Sequence, residues 1–286
     1  MFTDIRWRQR GVMVLGVILT GACGFFAQTS QQHASATAAA ASVFGVQQLG
    51  GSEEAPTPRG LVKEAPLIAP ADSEGVAVFR AAKRYTGAKI LVSTENRWLW
   101  FIEGKDTLLS VPIAVGVGTD FEYNGRKWNF STPRGRRRVL KKEENPIWTV
   151  PAWHYYEKAS YRGLKAVHVK VGEVYPLKDG TWIEIRDGEV GRVNKFGNFW
   201  PFTPGIEIIF DGKLFVPPLD TPQRRVPDAL GPYKLDMGDG YLIHGTHLYN
   251  QDSIGLPASH GCVRMHNEDL EKLYSMVEPN TPVFIF

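Results

Sequence analysis

The chain has 286 residues, 43% of them hydrophobic and 22% charged, with a formal net charge of +3. That length holds one large domain or two small ones, the composition is ordinary for a globular protein, and so mild a charge speaks against nucleic acid as a partner. Eight Trp and fifteen Phe among many Val and Ile favour a β-rich core.

In chain order, the first feature is an export signal. Arg6, Arg8 and Arg10 precede an apolar run of 17 residues, 11–27, and Ala34-Ser35-Ala36 offers a cleavage site. Residues 1–36 therefore read as a signal peptide or, left uncleaved, as an N-terminal membrane anchor, since the run is at the short edge of what spans a bilayer. Lipidation at Cys23 is the lesser reading, because Leu19 falls one place too early for the usual motif. Removal of the signal leaves Cys262 as the one cysteine, so an internal disulfide is impossible. Residues 37–72, rich in Ala, Ser, Gly and Pro without an apolar period, read as a flexible linker.

The folded domain is expected over 73–286. Asp72 and Ser73 are set to cap a short helix with Val76, Phe79, Ala82 and Tyr85 on one face. From Ala88, three runs (Lys89–Ser93, Arg97–Glu103 and Thr107–Val117) joined by short loops predict an antiparallel meander. The apolar run Trp98-Leu99-Trp100-Phe101 predicts a strand covered on both faces. The basic run Arg134–Lys142, six cations in all, reads first as a solvated strand face or protected edge and second as a docking face for an anionic wall polymer. An inserted segment over about 155–225 carries strand signals at Val167–Val171, Trp182–Arg186, Ile206–Phe210 and Leu214–Val216, with turn signals at Lys178–Gly180 and Phe210–Lys213. It reads as a β-rich subdomain or lid, and His154 and His168 near it have no assigned role. Asn267 is expected to cap a C-terminal helix with Leu270, Leu273 and Val277 inward, and residues 281–286 form a last apolar strand.

The chemistry concentrates between Tyr241 and His266. The apolar run Leu242-Ile243 ends on His244, and 18 residues later comes Cys262 within Ser259-His260-Gly261-Cys262-Val263-Arg264. A thiol becomes a strong nucleophile when a neighbouring imidazole takes its proton, so the stretch offers a Cys/His acyl-transfer site. Gly261 allows a positive φ or a close backbone approach, and N–H groups near it can hold an oxyanion. His244 and His260 compete for the role of base on spacing alone. A zinc site built on His244, His247, His260 and Cys262 is disfavoured, because there is no second Cys and no carboxylate at ligand spacing beside them.

His244-Gly245-Thr246 followed by Ser259-His260-Gly261-Cys262-Val263-Arg264-Met265 resembles the signature of the L,D-transpeptidases with a YkuD-type catalytic domain. Thr132-Pro133-Arg134-Gly135 and the Pro/Trp-rich Asn145–Pro151 fit the same resemblance. It implies a mainly β fold, an L,D-transpeptidase-like β-sandwich or barrel with a short C-terminal helix. It implies Cys262 as nucleophile and His244 as base, the other nitrogen of His244 held by a backbone carbonyl. Gly245, Ser259, His260, Gly261 and Arg264 are placed in support, Arg264 to steady the loop or grip a substrate carboxylate. The implied reaction forms 3→3 cross-links between peptidoglycan stem peptides through a Cys262 thioester, with loss of D-Ala and without a metal or organic cofactor. Carbapenem is the implied inhibitor, and the periplasm or cell wall the implied location. Hydrolysis at the same site, as an L,D-carboxypeptidase or amidopeptidase, stays open as an alternative, and so does a non-catalytic peptidoglycan-binding role.

Overall fold

The structure is a computed structural model and describes residues 65–286. The signal segment, Cys23 and most of the linker lie outside the described residues. The last linker residues contact the domain: Trp100 Nε1 donates to the Ala65 carbonyl at 3.1 Å, and Leu67 packs beside it.

Helix α1 (Ser73–Arg84) starts where the sequence places it, with the Asp72 carboxylate accepting from the Gly75 N–H at 2.8 Å. Strands β1 (Lys89–Ser93), β2 (Trp98–Glu103) and β3 (Asp106–Pro112) form the expected meander, each antiparallel to the next. Strand β2 is covered on both faces for a simple reason of period: Leu99 and Phe101 enter the main core, while Trp100 and Ile102 pack with Phe79 and Ala82 of α1 on the other side. The long third run divides at Ile113, where the chain turns away into β4 (Val115–Gly116).

A hairpin of β5 (Asp120–Tyr123) and β6 (Arg126–Asn129) follows, then β7 (Gly135–Arg138), β8 (Lys141–Glu144) and β9 (Trp148–Thr149). The basic run thus supplies two strands. Strand β7 is the outer strand of its sheet, which fits the protected-edge reading.

The segment expected to be β-rich opens instead with a helix, α2 (Ala152–Tyr161). Its aromatic residues are indifferent helix formers, its N-cap is Pro151 without a side-chain bond, and its first turn has no acid. Packing makes the helix: Tyr155, Tyr156 and Ala159 are buried against Leu214 and Val216. Short strands then follow as β10 (Lys165–His168), β11 (Tyr175–Pro176), β12 (Trp182–Arg186), β13 (Glu189–Val193), β14 (Phe199–Pro201), β15 (Ile208–Phe210), β16 (Lys213–Val216) and β17 (Arg225–Val226). They bury their own cluster around Ile183, Val190, Ile208 and Phe215.

The chain returns as β18 (Tyr233–Asp236), β19 (Leu242–His244), β20 (Pro257–Ser259), β21 (Val263–Arg264), α3 (Asn267–Met276) and β22 (Pro282–Ile285). Two sheets, ordered β3-β2-β1-β22-β7 and β21-β19-β18-β8, close on one core that includes Ile90, Leu99, Leu235, Ile243, Val263 and Val283, with Leu270 and Leu273 of α3. The architecture is a mainly β sandwich with a few helices, as expected. One detail is corrected: the N-cap of α3 is His266, and Asn267 is its first helical residue.

Candidate active site

Strands β19 and β21 run parallel, with Ile243 opposite Val263 and His244 opposite Arg264. Ile243 and Val263 are fully buried in the core. Side chains alternate along a strand, so His244 and Arg264 turn to the other face of the sheet, and Cys262, two residues before Arg264, turns with them. The pairing thus brings a thiol, an imidazole and a guanidinium onto one face.

His244 is buried, and its Nδ1 lies 2.5 Å from the Gly245 carbonyl oxygen. A carbonyl only accepts, so Nδ1 carries the proton and Nε2 is the free base. Burial first, and then the Arg264 charge, hold the imidazole down to about 3. Cys262 is half-buried, with Sγ 3.8 Å from the Gly240 carbonyl. Burial pushes its thiol up, against the opposing pull of a Leu242 backbone hydrogen bond and the Arg264 charge. Burial thus favours the neutral form of the thiol and of the imidazole alike. Arg264 keeps its charge although burial lowers its affinity for the proton, and it favours a thiolate whenever one forms.

The loop before Cys262 is locked by its own short side chain. Buried Ser259 donates from Oγ to the Cys262 carbonyl at 2.5 Å and accepts from the Gly261 N–H at 3.1 Å. Gly261 has φ +123°, and a Cβ there would meet the Tyr241 ring at 2.8 Å. Strand β20 lies parallel to β4, and the Thr132 hydroxyl of the Thr-Pro turn accepts from the Gly116 N–H at 2.8 Å.

His260, the rival base, faces elsewhere. Its Nε2 is 3.0 and 3.1 Å from the two oxygens of Glu157, and its ring packs on Phe130 and Trp153 at centroid distances of 4.5 and 4.6 Å. Trp153 and Glu157 are one turn apart on α2, so this helix clamps the Cys262 loop through His260. Burial pushes the Glu157 carboxyl up, but the His260 hydrogen bond and charge outweigh it and the net direction is down. Glu157 and Trp153 were missed in the sequence because α2 was missed.

Asn267 was noticed for the wrong reason. Its amide accepts from the Thr246 N–H at 2.9 Å and donates to the Thr246 carbonyl at 3.0 Å, tying down the residues after His244. A Cβ on Gly245 would sit 2.2 Å from Asn267 Oδ1, which is why that position is glycine. Among the described residues, no group of three His, Cys, Asp or Glu side chains is arranged to hold a metal.

The family model for the L,D-transpeptidase catalytic domain, YkuD, matches residues 87–285. The Escherichia coli K12 protein named "Probable L,D-transpeptidase YbiS" is 38% identical over 90 residues, which are 31% of this chain and 28% of YbiS. YkuD of Bacillus subtilis strain 168 is 44% identical over 64 residues, 22% of this chain and 38% of its own length. These alignments thus span well under half of either relative. Among solved structures, an L,D-transpeptidase from Xylanimonas cellulosilytica aligns over 75% of this chain and 70% of its own, with 16% identity and a TM-score of 0.36.

Proposed function

We propose a function for a chain that belongs to the YkuD family of L,D-transpeptidase catalytic domains: cysteine-dependent acyl transfer on peptidoglycan stem peptides, in an exported protein of the periplasm or cell wall. The observation that supports it is the β19–β21 pairing, which sets His244 opposite Arg264, two residues after Cys262, with the His244 Nδ1 proton committed to Gly245.

The first step breaks an amide and makes a thioester. Cys262 Sγ attacks the carbonyl of the third residue of a tetrapeptide stem as its proton passes to His244 Nε2. Burial favours the neutral form of both groups, so proton transfer accompanies attack and does not precede it. The Gly261 N–H is already given to Ser259 Oγ, so the oxyanion donor at this turn is the Cys262 N–H. His244 returns the proton to the leaving D-Ala amine. In the second step the side-chain amine of another stem attacks the thioester, loses its proton to His244, and the thiol is restored. Arg264 stabilises the developing negative charge on sulfur and oxygen. A β-lactam of the carbapenem class acylates the same sulfur by the first half of this path.

Incubation of the protein with disaccharide-tetrapeptide, read by mass spectrometry, tests the proposal. A cross-linked dimer that has lost one D-Ala supports it. Tripeptide alone assigns the hydrolytic alternative. No product, with no adduct on Cys262, overturns the enzymatic reading.

A further inference from the structure

The insertion contains a second polar site on the far side of α2. Arg224 is only 2% exposed, yet among the described residues it pairs with no carboxylate. Its Nη1 donates to the Pro217 carbonyl at 3.2 Å, its guanidinium lies over the Tyr155 ring at 5.0 Å, and its Nε has no partner. The Tyr155 and Tyr156 phenols, both neutral, are its polar neighbours. A buried cation without a counter-ion is expensive to maintain. Arg224 also lines a cavity of about 500 Å³. His168 and Lys170 share that wall, no acidic residue lines it, and exposed Val171 and Leu219 stand at its edge.

The surroundings of His168 point the same way. Its Nε2 is 2.5 Å from the Tyr156 hydroxyl. After burial, the influences that hold the imidazole down are Arg224, Arg126 and Lys170, all cations. Lys170 has an exposed pairing with Glu173 at 3.1 Å, which leaves Arg224 uncompensated. A cavity whose polar wall residues are a buried arginine, a histidine and a lysine, set among apolar side chains, has the donor chemistry of a carboxylate receptor.

We propose that this cavity is a binding subsite for a peptide carboxylate, with Arg224 as the buried cation and His168 and Lys170 completing its wall. The choice of a peptide over other carboxylates rests on the peptidoglycan reading above. The subsite is linked to the catalytic loop through α2. Ala152 lines the cavity, while Trp153 and Glu157 hold His260. His154, between them in sequence, feels the charges of both His260 and Arg224. A ligand carboxylate here supplies the missing counter-ion and steadies the helix that clamps the nucleophile loop.

The test uses the full chain with ¹³C-labelled histidine, titrated with disaccharide-tripeptide, with the same peptide amidated at its carboxylates, and with inorganic phosphate. The His168 ring resonance is followed. The expected result is a saturable shift with the free acid, and binding about tenfold weaker for the amide. Lys170→Glu should weaken binding about fivefold, Arg224→Gln should remove the shift, and Cys262→Ala should keep it. Since Cys262→Ala retains binding whatever the protein catalyses, failure of the subsite and failure of the enzymatic reading are distinguishable. Equal binding of acid and amide, tighter binding of phosphate than of peptide, or no response to any of the three overturns the proposal. Should Arg224→Gln not fold, the Lys170→Glu and amide results decide it.

Discussion

Gly245 and Asn267 should behave as one unit, and a double-mutant cycle exposes this. Asn267→Ala removes two hydrogen bonds to Thr246, at 2.9 and 3.0 Å, and orphans the N–H of a residue that is 2% exposed, while its carbonyl keeps only the longer bond from Gln251 Nε2 at 3.4 Å. Each lost bond is worth about 1 kcal/mol, and the orphaned buried N–H adds more, so the expected loss is about 2–4 kcal/mol. Gly245→Ala places a Cβ 2.2 Å from Asn267 Oδ1, so the amide must swing away and the same two bonds are lost. Its cost should therefore also be about 2–4 kcal/mol. With Asn267 already alanine, the nearest remaining atom is Gly231 Cα at 3.3 Å, and the glycine substitution becomes nearly neutral. The double variant should cost no more than about one single variant, a coupling of at least about 2 kcal/mol. Urea unfolding of the four proteins at constant m-value measures it. Additive losses, within about 0.5 kcal/mol, would refute the reasoning.

Other outcomes follow from the same geometry. Cys262→Ala should abolish thioester and β-lactam adducts, and His244→Ala should slow acylation by about 10²-fold or more, both read by intact-protein mass spectrometry. Glu157→Gln loosens a half-exposed contact to His260, so it should cost at most about 1 kcal/mol and leave acylation within about tenfold; loss as severe as that of His244→Ala would make His260 the base after all. Gly261→Ala should lower stability by about 1–3 kcal/mol and acylation with it, because φ is +123° and the Tyr241 ring blocks the new Cβ. His244 and His154 are both held to about 3, chiefly by burial. The unfolded chain protonates them below about 6.5 while the folded one does not, so stability should fall as pH drops from 6.5 towards 3, by about 1.4 kcal/mol per unit for each histidine. Urea midpoints at pH 7.5 and 5 test this, and His154→Asn should remove about half of the difference. With the imidazole held to about 3 and the thiol raised, attack by the neutral pair predicts an acylation rate that stays flat through neutral pH; a steady rise through neutral pH contradicts it.

What could be read before folding follows from short-range rules. Period-2 and unbroken apolar runs located β1, β2 and β12, the Asp72 cap located α1, and the small residues around Cys262 marked a turn. The resemblance carried by His244 to Met265 supplied the family. Helix α2 was illegible because its residues have little helical preference of their own, and only burial of Tyr155, Tyr156 and Ala159 stabilises it. Whatever hangs on α2 was hidden with it: the Glu157–His260 clamp, 103 residues apart in sequence, and the pocket of Arg224.

The sequence by itself determined the local elements, the stretch that carries His244 and Cys262, and the glycines that its turns require, since these depend on neighbours a few residues away. Only the tertiary structure decided that His260 is held by Glu157, what Asn267 is for, and that Arg224 is buried without a carboxylate partner among the described residues. Each of those is a contact between distant segments, set by how two sheets and an inserted helix pack, and no local pattern encodes it.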